Sequence, residues 1–126
     1  MINNSKINLE TLGFISLPGN DFFDNEDVIG FVNNAIWVLD GATSLSDEPT
    51  NPTDGFVFTY AINRHLSNLL KEQMTLPEAL SQAILLTNQE LKNPWFNSKN
   101  YELPSASGIL IQLLGNQLEY LVFGDC

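Results

Sequence analysis

The chain has 126 residues, 44% of them hydrophobic and 16% charged, with fifteen acidic side chains against five basic ones and a net charge of −10. That balance describes a single globular domain with a modest core, spanning residues 1–126, and not a disordered segment. The acidic excess argues against nucleic-acid backbones or anionic membranes as partners, since both need clustered Lys and Arg, and is compatible with divalent cations.

The polar opening "MINNSK" has no basic-then-apolar signal pattern. No apolar run reaches the ~20 residues of a membrane span. A cytoplasmic protein is the expectation. "INLETLGFISLPG" is predicted as a strand or strand-like arm closed by Pro18-Gly19. "DVIGFVN" and "AIWVLDG" are two β-rich runs around Asn33-Asn34, residues that tolerate positive φ and predict a tight hairpin. The segment "ATSLSDEPTNPTDG" reads as a loop.

A first helix is predicted over about residues 55–72, with Thr53 or Asp54 as N-cap and Phe58, Ile62, Leu66, Leu69 and Leu70 as its buried stripe. A second begins at "TLPEALSQAILLTNQEL", where Thr75 and Glu78 have capping-box spacing and Pro77 occupies the first turn. Its apolar face is Leu76, Leu80, Ala83, Ile84 and Leu91, and it is expected to stop before Pro94. After the loop "NPWFNSKNYELPS", two strands are joined by Gly115-Asn116, a pair suited to a type II′ turn. The chain closes on its only cysteine, Cys126, which excludes an internal disulfide. Strands, then two helices, then strands predict an α+β fold with antiparallel sheet.

Acids fall at the strand ends: "DNED" before the second strand, Asp40 after the third, Asp125 after the last. In a hairpin through Asn33-Asn34, Asp27 and Asp40 are neighbours by register. Adjacent carboxylates raise each other's pKa unless a cation lies between them, and Mg²⁺ or Mn²⁺ favours such oxygen donors. Gly41 suits a backbone-carbonyl ligand because no Cβ obstructs approach. Each acid taken alone is equally a strand-terminating turn residue.

Asn25-Glu26-Asp27, Asp40-Gly41, Ser105-Ala106-Ser107-Gly108 and Gly124-Asp125-Cys126, in that order around a helix pair, resemble the N-terminal half of the metal-dependent type 2C (PPM-type) serine/threonine protein phosphatases. The resemblance implies a four-layer αββα sandwich of two antiparallel sheets flanked by helix pairs, with a dinuclear Mn²⁺ or Mg²⁺ centre. By the same resemblance Asp40 bridges the metals, Gly41 offers its carbonyl, Asp27 or Glu26 reaches a metal directly or through water, and Asp125 serves a further metal. A metal-bridged water would then attack the phosphorus of a phosphoserine or phosphothreonine in a phosphoprotein substrate.

The chain departs from that family in three respects. No Arg precedes N-x-D, and the only Arg, Arg64, lies in the first predicted helix. The Gly-rich, His-containing continuation after Asp-Gly is replaced by "ATSLSDEPT", where Thr43 or Ser44 could offer hydroxyls, and the one histidine, His65, reads as a packed or surface helix residue. The aspartates of the family's second half are not in the sequence. The chain is therefore expected to be a truncated or half domain, inactive on its own because part of the site is supplied elsewhere, with pairing through the exposed edge of its last strand. Two further readings stand beside the phosphatase: a non-catalytic binding or regulatory module, and a small acidic domain that holds no metal.

Overall fold

The computed structural model describes residues 7–19, 24–42, 52–95 and 104–125. The segment 43–51, with Thr43 and Ser44, most of the loop after the second helix, and Cys126 lie outside the described residues.

β1 (Val28–Val32) and β2 (Ala35–Ala42) form an antiparallel hairpin, with Val32 opposite Ala35 and Val28 opposite Leu39. Asn33 takes the positive φ, 51°, at the first position of the two-residue turn. β3 (Ser105–Leu114) and β4 (Gln117–Phe123) form a second hairpin, and Gly115 carries its positive φ of 61°. Positive φ at the first central position alone is the type II′ pattern, whose twist matches that of the strands. β2 pairs antiparallel with β3, so the four strands make one sheet in the order β1-β2-β3-β4. Residues 7–19 contribute no strand and run as an arm, with Phe14 edge-on to Phe31 at 5.8 Å between ring centroids.

The helices connect β2 to β3. α1 (Asp54–Leu69) has Thr53 at its N-cap position, without a hydrogen bond from the threonine side chain to the helix, and begins one residue before the predicted start. It ends three residues short of the predicted Glu72, with buried Leu70 as its C-cap and the Leu70 amide making the last helical bond, to the Leu66 carbonyl at 2.9 Å. α2 (Leu76–Trp95) opens on the expected capping box: Glu78 Oε2 accepts from the Thr75 amide at 3.2 Å and the Glu78 amide donates to Thr75 Oγ1 at 3.4 Å. It does not stop before Pro94 but runs on to Trp95. Pro94 is the next-to-last residue of the helix, so the residue it biases away from helical geometry, Asn93, already lies in the closing turn.

Both helices lie on one face of the sheet, α1 against β1 to β3 and α2 against β3 and β4. Trp37, Leu39 and Leu110 from the strands pack there with Ile62, Leu66, Leu76, Ala79 and Ala83. Leu39, Leu66, Leu110, Ala79 and Ala83 are fully buried. The Trp37 indole N–H donates to Asn63 Oδ1 at 2.9 Å, and Gly30 leaves the space the indole fills. The described residues thus form an α+β unit of two layers, one helix pair on one four-stranded antiparallel sheet.

Candidate functional site

The β1–β2 ladder ends at Val28 and Leu39, and one step beyond that pair Asp27 comes to lie beside Asp40 at one end of the sheet. Strand alternation turns Leu39 to the helices and Asp40 to the other face. On β3, Ser107 pairs with Asp40, and Gly124 closes against Ser107, whose Cα would lie 2.8 Å from a Cβ at Gly124. Gly124 has a φ of 76°, which turns the chain after β4 and sets Asp125 beyond it. Asp27, Asp40 and Gly124-Asp125 therefore share one end of the sheet across four strands.

The Asp27 and Asp40 carboxyl groups are near enough to influence each other, and a proton held on Asp27 is favoured by Asp40 as acceptor. Desolvation against its neighbours is the leading cause that raises the Asp27 pKa above its ordinary 3.8, although much of the side chain still reaches water. The negative charge of Asp40, the hydrogen bond with it and the charge of Glu26 push in the same direction. Two carboxyl groups side by side at an exposed strand end provide hard oxygen donors for a divalent cation. Mg²⁺ needs only one or two carboxylates and keeps several waters, so this pair fits part of such a site. Among the described residues no group of three or more His, Cys, Asp or Glu side chains is spaced to hold one metal ion. Asp125 thus shares the end of the sheet without completing a three-carboxylate cluster.

The segment before β1 is bound tightly to the start of α1. The Thr53 amide donates to Asp24 Oδ2 at 2.9 Å, the Asp27 amide to Asn25 Oδ1 at 3.1 Å, and Asn25 Nδ2 to Ser16 Oγ at 2.7 Å. Thr59 Oγ1, fully buried, donates to the Glu26 carbonyl at 2.8 Å. Gly41 is enclosed by the same groups: a Cβ there would lie 2.7 Å from Thr59 Cγ2, 2.8 Å from the Glu26 oxygen and 3.1 Å from the Gly55 oxygen. Buried Asp54 opens the helix at this point. Thr59 and Asp54 are site-adjacent residues that sequence reasoning missed as such. Nothing in a local pattern marks a mid-helix threonine that reaches across to another element.

Arg64 is engaged elsewhere. It sits on α1 and pairs with Glu90 of α2 through both carboxylate oxygens at 2.5 Å, while His65 Nε2 approaches Glu90 Oε2 at 3.0 Å. The hydrogen bond from Arg64 holds the Glu90 carboxyl below its ordinary pKa. These groups join the two helices and do not line the acid pair.

No family model matches the chain, and no curated protein and no solved structure gives a match. No helix among the described residues is long and apolar enough to cross a membrane.

Proposed function

We propose that this chain supplies part of a type 2C-like, metal-dependent serine/threonine protein phosphatase site. The observation that carries the reading is the Asp27–Asp40 pair, two carboxyl groups side by side at a strand end next to Gly41. In this reading Asp40 and Asp27 hold Mn²⁺ or Mg²⁺, with the Gly41 carbonyl and, directly or through water, Glu26 as further donors. Asp125, at the same end of the sheet, serves a further ion. Metals held there would supply the chemistry of an acidified water nucleophile for a phosphoserine or phosphothreonine phosphorus. The protein's own part is to fix the carboxylates on a rigid hairpin, so that little reorganisation accompanies the reaction.

The four-layer sandwich belongs to the same proposal. The outer sheet face carries Phe31, Val38, Tyr120 and Val122, all exposed, and a second sheet would cover them. Remaining metal ligands would arrive with that layer, and the β4 edge offers a pairing route. A cytoplasmic location accords with a protein acting on phosphoproteins.

The test is hydrolysis of a phosphothreonine peptide by the protein with Mn²⁺, against Asp40→Ala. Turnover that requires Mn²⁺ and falls about 100-fold or more in the variant supports the reading. Turnover indifferent to Asp40→Ala overturns it. A second reading, a non-catalytic binding or regulatory module, draws on Arg64: the chain's only guanidinium is committed to Glu90 and leaves no Arg fork for a phosphate. Mn²⁺ binding without hydrolysis would favour that reading.

A further inference from the structure

We propose that Thr59 is a positioning residue for the Asp27–Asp40 pair, its buried hydroxyl clamping the Glu26 carbonyl so that Asp27 is held opposite Asp40.

Three observations converge on this residue. Thr59 is fully buried and sits in α1, whereas its nearest acceptor, the Glu26 oxygen at 2.8 Å, belongs to the segment entering β1. The Gly55 and Phe56 carbonyls, at 2.9 and 3.2 Å, compete for the same single hydroxyl proton. Within a helix such carbonyls already receive amides from four residues on, so the hydroxyl's distinctive contribution is the bond that leaves the helix. The methyl of the same side chain fills the space beside Gly41, where a Cβ would come within 2.7 Å of it. One threonine therefore touches the residue before Asp27 with its hydroxyl and the residue after Asp40 with its methyl.

The consequence is geometric. Asp27 precedes β1, so the sheet ladder alone does not anchor it. Asp24 and Asn25 fix the approach of the chain, and the Thr59 clamp lies one peptide from the carboxylate itself. Without the clamp the Glu26 carbonyl loses a buried partner and the segment is free to relax toward water. Supporting contacts of this kind around ligating groups govern metal affinity by about 10–100-fold.

The inference rests on the metal reading above for its first measurement and not for its second. Mn²⁺ titration by calorimetry and by the Mn²⁺ electron-paramagnetic signal compares the parent with Thr59→Val and Thr59→Ser. Valine keeps the shape and removes the hydroxyl; serine keeps the hydroxyl. The expected result is Mn²⁺ affinity about tenfold weaker in Thr59→Val and close to the parent in Thr59→Ser. Parent-like affinity in Thr59→Val, or equal loss in both variants, overturns the assignment. The second measurement is metal-free: the side-chain carboxyl carbon resonances of Asp27 and Asp40 at fixed pH. Both move in Thr59→Val and return in Thr59→Ser, while the Glu78 resonance stays in place. If the parent binds no Mn²⁺, the metal reading falls, and the positioning role stands or falls on those resonances. If Thr59→Val does not fold, Thr59→Ala is read against Thr59→Ser, which differ only in the hydroxyl: weaker Mn²⁺ affinity and shifted carboxyl resonances in the alanine variant alone support the role, and equal behaviour of the two overturns it.

Discussion

Asp40 is an exposed carboxylate at the end of a strand whose preceding residue, Leu39, is fully buried, so it is held by the core yet presented to water. Its effect on Asp27 has a defined sign. The Asp27 pKa is raised in the folded protein, so the native state keeps that proton more readily than the unfolded chain does. The group's contribution to stability is therefore greatest below the ordinary value of 3.8 and declines as pH rises through the raised one. Asp40→Asn removes one of the opposing charges. In the presence of a chelator it should match the parent near about pH 4 and exceed it at about pH 7.5 by about 0.5 kcal/mol, a small value because both groups reach solvent. Thermal melts at the two pH values check this. Excess Mn²⁺ should reverse the order at the higher pH, since only the parent keeps both donors for the ion. A parent more stable than the variant at about pH 7.5 without metal would contradict the sign.

Between elements, some contacts could be read from the chain and others could not. The Asn33-Asn34 turn determined the pairing of Asp27 with Asp40, because a two-residue loop leaves a single register for its strands. The capping box at Thr75 and Glu78 likewise follows from local spacing alone. The Thr59–Glu26 bond did not, since it joins residues 33 apart in sequence through a helix packing angle that no periodicity encodes. The end of α2 was misread because the bias of a residue before proline away from helical geometry is a tendency, and here the helix runs two residues past Asn93. Gly30 belongs to the second group. In sequence it is an unremarked glycine in a strand, but in the fold its missing Cβ admits the Trp37 indole on its way to Asn63. Gly30→Ala would place a methyl on the indole and displace both it and its hydrogen bond. A loss of about 2–3 kcal/mol is expected, read from the denaturant midpoint. Indole emission should shift to longer wavelength in the native variant, provided Trp37 is exposed by the displacement.

Across the whole molecule the two sheet faces differ in kind. Alternation along β3 turns Leu110, fully buried, to the helices and Ile109 to the opposite side, where its β4 partner Val122 is 47% exposed. On that opposite side Tyr120 is 72% and Val38 42% exposed. The helix-side core makes the described layers a folded unit, while the outer face gains little from folding. Two substitutions in neighbouring strands separate these contributions. Leu110→Ala should cost about 2–5 kcal/mol, the range for a buried leucine that leaves a cavity. Val122→Lys should change stability by no more than about 0.5 kcal/mol, because the new ammonium extends into water. The same variant bears on the four-layer proposal, in which Val122 would be covered by a second sheet and a buried ammonium would be penalised far more heavily. Denaturant titration of the parent and both variants distinguishes the cases. A small change at Val122 fits a two-layer unit with an open face, whereas a loss comparable to that of Leu110→Ala would mean that this face is covered in solution.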